Sequence, residues 1–156
     1  MNLTLKNKNL SYTYPYPRMM VTVDTVIFLF ENENTTPKVL LIKRGNDPFK
    51  NSYALPGGFP EMDELLVHAA KRELHEETGL KNIELIQLAT YDAVERDPRG
   101  RNVALAFIGK TTPKNCTLKA GDDASEAKWF SIQNLPKLAF DHKLIIEDAV
   151  VKLGLK

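Results

Sequence analysis

The chain is poor in cysteine, with one residue of this type, Cys116, among 156. A single cysteine excludes an intrachain disulfide framework, which fits a protein kept in a reducing compartment. Cys116 lies in a polar stretch, so we interpret it as a bystander thiol and not as a nucleophile.

Long apolar runs and a strong net charge are also missing. The longest apolar run, residues 26–30, is far too short to span a bilayer, and residues 1–18 contain no apolar segment of the kind found in signal peptides. The formal net charge of +1 gives no general attraction to nucleic acid or membranes. We therefore expect one cytoplasmic globular domain without nucleic-acid or membrane partners.

The chain is organised around residues 57–80, which open with a glycine pair. No Pro or Gly occurs between Glu61 and Thr78, and Gly79 follows as a helix-ending glycine. The sequence therefore predicts a helix over this stretch. Its last two turns carry three glutamates at spacing i, i+3 and i+4, so their carboxylates share one face: Glu73, Glu76 and Glu77.

Counting around the predicted helix places the three glutamates in line with its apolar stripe. The apolar stripe consists of Leu65, Leu66, Ala69 and Ala70. The opposite, solvent-facing side consists of His68, Lys71, His75 and Thr78. Inward carboxylates must be paired, protonated or bound to a metal, and Mg²⁺ or Mn²⁺ accepts such oxygen ligands. For the three glutamates alone, a solvated acidic face has about equal weight.

The spacing of the surrounding residues decides between these alternatives. Gly58 is followed after five residues by Glu64, and after seven more come Arg72-Glu73, Leu74, Glu76-Glu77, Gly79 and Leu80. This pattern resembles the box of the Nudix hydrolase family at every defined position. The resemblance implies an α/β fold, a Nudix-type αβα sandwich with a mixed β-sheet between helices. It also implies hydrolysis of a nucleoside diphosphate linked to another group.

The resemblance also implies roles for the box residues. Glu73, Glu76 and Glu77, together with Gly58, would bind Mg²⁺ or Mn²⁺, and one glutamate would help to deprotonate the attacking water. Arg72 would orient the carboxylates through charge-assisted hydrogen bonds. Glu64 would be a secondary ligand or an acid favoured in the first turn by the helix dipole.

Further stretches resemble the ADP-ribose pyrophosphatase branch of this family, namely residues 22–28, 43–46, 54–59, 96–101, 121–124 and 138–142. The substrate-binding candidates within them are Arg44, Arg96, Arg99, Arg101, Phe140 and His142. Arginine suits the bidentate binding of a diphosphate. Each candidate also has an alternative to substrate binding. Each arginine would be a solvated surface charge, Phe140 would pack in the core, and His142 would be a neutral, hydrogen-bonded ring.

A second acidic group consists of Asp122, Asp123 and Glu126. In related enzymes a carboxylate from such a loop completes the metal site or acts as a base. A polar turn has equal weight here, because aspartates favour turns.

The rest of the chain predicts strands over residues 21–30, 39–44, 84–93, 102–109 and 126–131. A charged hairpin loop covers residues 95–101, and a last helix is capped by Asp141 and ends near Gly154. We divide the chain into an N-terminal arm, 1–20, and a Nudix domain, 21–156. The arm adds an edge strand, crosses to a second subunit or packs loosely.

The favoured function is metal-dependent hydrolysis of ADP-ribose to AMP and ribose 5-phosphate. One alternative is another Nudix substrate: a nucleotide sugar, NADH, a dinucleoside polyphosphate or an oxidised nucleoside triphosphate. A second is a non-catalytic sensor that binds ADP-ribose, as in Nudix domains fused to a DNA-binding winged helix. The complete box and the lack of an extra basic domain favour catalysis. A homodimer is expected from the resemblance alone.

Overall fold

The computed structural model describes residues 13–118 and 126–155. In chain order the elements are β1 (Met20–Leu29), β2 (Lys38–Lys43), β3 (Tyr53–Ala54), β4 (Gly57–Gly58), α1 (Leu66–Thr78), β5 (Ile86–Tyr91), β6 (Asn102–Thr111), a 3₁₀ turn (Pro113–Asn115), β7 (Ala127–Ser131) and α2 (His142–Lys152). Residues 1–12 of the predicted arm, and Asp122 and Asp123, lie outside the described ranges. The division into arm and domain therefore stays a prediction.

The seven strands form one mixed sheet. Strand β1 runs parallel to β6 along its whole length, from Met20 beside Asn102 to Leu29 beside Thr111. The pairs β5–β6, β1–β2 and β2–β7 are antiparallel. Strand β1 pairs with β2 only at Phe28 and Leu29. The short strands β3 and β4 pair with β2 and β1 respectively, so residues 53–58 enter the gap where β1 and β2 separate.

Alternation along β1 supplies a separate apolar core to each face of the sheet. Val26 and Phe28 pack in the cluster that contains the buried residues of α2. Val23 and Ile27 pack in the cluster that contains the buried residues of α1. One helix thus covers each face, and the predicted αβα sandwich is confirmed. No helix within residues 13–118 or 126–155 is long and apolar enough to cross a membrane.

The five predicted strands are confirmed with small shifts at their ends, whereas β3 and β4 were not predicted. Two residues are too short for an alternating pattern to show in a sequence. The predicted hairpin loop is confirmed in the connection between β5 and β6, which pair antiparallel.

The predicted start of α1 is wrong. The helix begins at Leu66, five residues later than the pattern suggested, and has no acid in its first turn. The Glu64 carboxylate instead accepts a hydrogen bond from the Glu61 N–H, at 2.8 Å, and others from Arg72. These bonds hold residues 61–65 outside the helix, so Glu64 is not a first-turn acid.

Two residues lie on the other face from the one predicted for them. Leu65 precedes the helix and is 65% exposed, whereas Thr78 is completely buried. The Thr78 hydroxyl donates to the Leu74 carbonyl and accepts from the Leu80 N–H, which satisfies it without water. The predicted end of α1 is confirmed, because Gly79 has φ 81° and donates its N–H to the His75 carbonyl.

The predicted last helix is confirmed, although its capping is not. Asp141 precedes α2, but its side chain makes no capping hydrogen bond. Both carboxylate oxygens bind Arg96 instead, at 2.8 and 2.6 Å. The pair ties the hairpin loop before β6 to the start of α2.

Candidate active site

A cleft opens where residues 53–58 enter the sheet. Its lining comes from β1 to β4, α1, the loop before β6 and the starts of β6 and α2. It consists of Thr22, Asp24, Ile42, Arg44, Ala54, Leu55, Gly57, Gly58, Phe59, Glu77, Arg96, Asp97, Arg99, Asn102, Phe140 and His142. Most of the predicted site residues that the structure describes therefore lie in or against one cleft.

Glu77 points from α1 towards the backbone of β4. Its Oε2 accepts a hydrogen bond from the Gly57 N–H at 2.9 Å. Burial raises the pKa of the Glu77 carboxyl to about 8, and the nearby charges of Glu73 and Asp24 act in the same direction. A carboxylate in this position gains from a nearby cation, because a positive charge favours its ionised form.

Glu73 packs directly against Gly58. A Cβ atom added to Gly58 would lie 2.6 Å from the carboxyl carbon of Glu73 and 2.7 Å from each carboxylate oxygen. Glycine at this position therefore lets the carboxylate approach the backbone of β4. The carboxylate of Glu77 thus contacts Gly57, and the carboxylate of Glu73 contacts the next residue, Gly58.

Arg72 contacts three of the carboxylates predicted to matter. Its guanidinium donates to Glu64 at 2.6 Å, to Glu73 at 2.7 Å and to Glu76 at 3.3 Å. A further N–H donates to the Phe59 carbonyl at 3.1 Å. A planar guanidinium with several donors suits this task, whereas an ammonium would not span the same acceptors.

The donor chemistry of the glutamates fits a hard divalent cation. Glu73 has a side chain 16% exposed, and Glu76 one that is 57% exposed, so the trio is only partly inward. Within the described ranges, no three acidic, His or Cys side chains are already grouped around one point. Arg72 and the Gly57 N–H hold the carboxylates.

Two arginines and an aromatic ring meet in the same cleft. The Arg44 guanidinium carbon lies 4.9 Å from the centre of the Phe140 ring, and that of Arg99 lies 5.6 Å from it. Arg99 also lies 5.5 Å from the Phe59 ring. Burial, followed by the charge of Arg99, lowers the pKa of Arg44. Two like charges held this close favour an anion between them.

These two arginines are oriented by neighbouring groups. The Arg44 Nε donates to the Pro48 carbonyl at 2.8 Å. Arg99 makes two bonds to the Asp97 carboxylate, at 3.0 and 2.7 Å. The carboxylate of Asp97 also accepts from Asn102 at 3.2 Å. Asp97 thus orients Arg99 beside the cleft.

Buried charges form the floor of the cleft. The Arg96 guanidinium binds Asp141 and lies 4.0 Å from the Asp24 carboxylate. His142 Nε2 lies 3.7 Å from the other Asp24 oxygen. Burial raises the pKa of Asp24 to about 7, against the effect of Arg96. Burial lowers the pKa of His142 to about 3, so the ring is neutral. A neutral ring is one of the two alternatives predicted from the sequence for this residue.

Two predicted residues lie elsewhere. Arg101 does not line the cleft, and its guanidinium donates to the Asp92 carbonyl. Glu126 is exposed, contacts Lys128 and lies 3.9 Å from Lys43. Neither contact brings these side chains to Glu73 or Glu77.

Among the charged and aromatic residues that line the cleft, sequence reasoning missed three: Asp24, Phe59 and Asp97. Asp24 had a detectable signal, since it is the one charged residue of β1, whose other residues are apolar or threonine. A buried charge in such a strand marks a functional site or an ion pair. Phe59 and Asp97 gave no such signal.

Comparison with known proteins identifies the family. The NUDIX domain family matches residues 20–149. The chain belongs to the NUDIX domain family. The predicted resemblance is thereby confirmed, and the predicted Nudix box, residues 58–80, lies within the matched range.

Three relatives of this Nudix domain are informative. The ADP-ribose pyrophosphatase of Methanocaldococcus jannaschii is 49% identical over 128 residues, which cover 82% of this chain and 71% of that protein. An ADPR responsive transcriptional repressor of Acinetobacter baylyi is 34% identical, and this chain spans about half of it, 55%. The NUDIX domain of Shewanella oneidensis NrtR, solved with ADP ribose, has a TM-score of 0.79 at 31% identity, covering 88% of this chain and 90% of that one.

Proposed function

We propose that the chain is a metal-dependent ADP-ribose pyrophosphatase that releases AMP and ribose 5-phosphate. The supporting observation is that Glu77, which binds the Gly57 N–H, lines one cleft together with Arg44 and Arg99. The carboxylate of Glu73 packs against Gly58, which lines the same cleft. Acidic and basic groups that line one cleft suit a metal-bound diphosphate. The similarity to the M. jannaschii pyrophosphatase supports ADP-ribose as the substrate.

The arginines are placed to bind the diphosphate. A second depression, lined by residues 42–46 with Glu76 and Glu77, shares Ile42, Arg44 and Glu77 with the main cleft. Arg44 therefore lines both the main cleft and the depression that contains Glu76 and Glu77. Its remaining donors, and those of Arg99, neutralise phosphate oxygens in this arrangement. Arg96 also lines the cleft, and Asp141 already binds one edge of its guanidinium.

The aromatic rings suit the nucleoside part of the substrate. Phe140 packs edge-on against Phe49, with ring centres 4.9 Å apart, which fixes its orientation. Phe59 and Phe140 both lie beside Arg99. Stacking of a base on such rings contributes about 1–3 kcal/mol in nucleic-acid sites. We place the adenine against Phe140 or Phe59, next to the two arginines.

Glu73, Glu76 and Glu77 would hold the cation, with Mg²⁺ or Mn²⁺ as the metal. Bound there, the cation would polarise the phosphoryl oxygens and lower the pKa of the attacking water. Arg72 restrains Glu73 and Glu76, and the Gly57 N–H restrains Glu77. These bonds preorganise the ligands and separate their negative charges.

The test is hydrolysis of ADP-ribose by the purified protein with Mg²⁺, with AMP and ribose 5-phosphate both quantified. We expect Glu76→Gln and Glu77→Gln each to lower kcat by at least about 100-fold, since each removes a charged metal ligand. Glu147→Gln is the matched control, because Glu147 is exposed on α2 and lies beside Lys143. Full activity in both box variants would remove the proposed metal site.

The same assay decides between the rivals. A panel with a nucleotide sugar, NADH, a dinucleoside polyphosphate and an oxidised nucleoside triphosphate should show lower kcat/KM than ADP-ribose. The similarity to the A. baylyi repressor motivates the sensor alternative. Tight ADP-ribose binding without turnover would favour that alternative. The homodimer and the cytoplasmic location stay predictions.

A further inference from the structure

The ring of His142 is buried, and both of its nitrogens face protein groups. Nδ1 accepts a hydrogen bond from the Leu55 N–H at 2.9 Å. Nε2 lies 3.7 Å from a carboxylate oxygen of Asp24. The side chain is 5% exposed. This arrangement matches the alternative given for His142 from the sequence, a neutral, hydrogen-bonded ring.

The backbone that His142 holds leads directly to the carboxylate site. Leu55 is followed by Pro56, whose carbonyl accepts from the Thr25 N–H at 2.8 Å and from the Thr25 hydroxyl at 3.0 Å. Gly57 comes next and donates its N–H to Glu77. Three consecutive residues thus join the His142 ring to a carboxylate of the Nudix box.

The same segment has little room to move. A Cβ atom on Gly57 would lie 2.1 Å from the Val23 carbonyl oxygen and 2.8 Å from an Asp24 carboxylate oxygen. On the other side, Gly58 is pressed against Glu73. Because the segment is confined between β1 and α1, a shift at Leu55 is transmitted to the glycine pair.

We propose that His142 is a positioning residue whose Nδ1 fixes the Leu55 amide and, through Pro56, the Gly57 amide that holds Glu77. The ring acts on the box carboxylate through the backbone and does not touch the substrate. The catalytic part of this proposal rests on the proposed function. The structural part, a hydrogen bond that determines where Glu77 lies, does not depend on it.

Two variants of similar shape separate the hydrogen bond from packing. His142→Asn places an amide oxygen near the position of Nδ1 and keeps an acceptor for the Leu55 N–H. His142→Leu has a similar outline and no acceptor. We expect His142→Leu to lower kcat for ADP-ribose by about 10- to 100-fold, with KM changed by less than about threefold, because the reacting groups shift while substrate contacts remain. His142→Asn should keep at least about a third of the wild-type kcat.

A second measurement needs no substrate and no activity. Amide hydrogen exchange by NMR should show the Leu55 N–H protected in the wild type and in His142→Asn, and unprotected in His142→Leu. Titration with Mn²⁺ alone should give a dissociation constant about 10-fold higher for His142→Leu than for His142→Asn. Thermal melting identifies any variant that has simply unfolded.

Three results would overturn the proposal. One is a Leu55 amide that exchanges in the wild type as fast as an exposed loop. Another is a wild-type kcat in His142→Leu. The third is an equal loss in both variants while the Leu55 amide stays protected in His142→Asn, since the ring would then act by touching the substrate. If the wild type does not hydrolyse ADP-ribose but exchange and Mn²⁺ affinity follow the expected pattern, the proposed function fails and the positioning role stands.

Discussion

Replacing Gly58 by Ala tests the site more finely than removing a carboxylate. A Cβ atom there would lie 2.7 Å from both carboxylate oxygens of Glu73, so the carboxylate must retreat by about 0.7 Å to reach ordinary contact distance. The φ angle of Gly58 is not in the left-handed region, so the backbone itself accepts Ala. The substitution therefore moves one ligand and leaves the fold intact.

The expected cost follows from that displacement. Misplacing a catalytic group by about 1 Å costs about 100-fold in rate, so we expect Gly58→Ala to lower kcat about 10- to 100-fold. The concentration of Mg²⁺ needed for half-maximal activity should rise, because the displaced Glu73 binds the cation less well. The melting temperature should change little. Steady-state kinetics over a Mg²⁺ titration, with thermal melting of the same sample, measures all three quantities.

Gly57→Ala is the matched comparison one residue earlier. Its Cβ atom would meet backbone, the Val23 carbonyl oxygen at 2.1 Å and the Asp24 Cα at 3.0 Å, which cannot rotate away. We expect this variant to lose stability as well as activity. A Gly58→Ala protein with wild-type kcat and wild-type Mg²⁺ dependence would refute the placement of Glu73 in the metal site.

Three other outcomes are expected. Burial raises the pKa of Asp24 to about 7 and of Glu77 to about 8, above the unfolded values, so the folded protein without metal holds protons that the unfolded chain releases. Its melting temperature in EDTA should therefore fall as the pH rises from about 5 to about 8, with Mg²⁺ reducing the fall; a flat profile would contradict this reasoning. Arg44→Ala should raise KM for ADP-ribose about 10-fold or more. Arg101→Ala should leave KM within about twofold of the wild type, because Arg101 binds a carbonyl outside the cleft. Equal effects of the two variants on KM in kinetic assays would show that the cleft is wrongly assigned. Arg72→Lys should lower kcat at least about 10-fold, since an ammonium cannot contact the same set of acceptors, and a wild-type kcat would exclude the orienting role.

The sequence predicted the sandwich because its signals are local. Alternation and β-branched residues marked β1, and Gly79 marked the end of α1 at a left-handed residue. The spacing of the box placed Glu73 and Glu77 on one face of the helix, and both carboxylates do meet the glycine pair. Local periodicity was sufficient for these features.

The start of α1 was mispredicted because a non-local bond decides it. Helical pattern and composition continue back to Glu61, yet Glu64 is drawn out of the helix by Arg72, eight residues later. Periodicity does not include such a side-chain bond. The exposure of Leu65 follows from the same displacement.

The contacts among the buried charged groups of the cleft were not predicted, for a related reason. Asp141 looked like a helix cap, since aspartate is common at that position, but its carboxylate is taken by Arg96, 45 residues earlier. Asp24 meets Arg96 and His142 only after the sheet, the hairpin loop and α2 have come together. Contacts among three separate segments have no signature in one sequence.

The proposed hydrolysis depends on a divalent cation bound to the carboxylates of the Nudix box. Crystals soaked with Mn²⁺ and AMP, measured at the manganese absorption edge, test it directly. We predict an anomalous peak at coordination distance, about 2.0–2.2 Å, from carboxylate oxygens of Glu73 and Glu77. The absence of a peak there in a fully soaked crystal, with AMP visible in the cleft, would contradict the account.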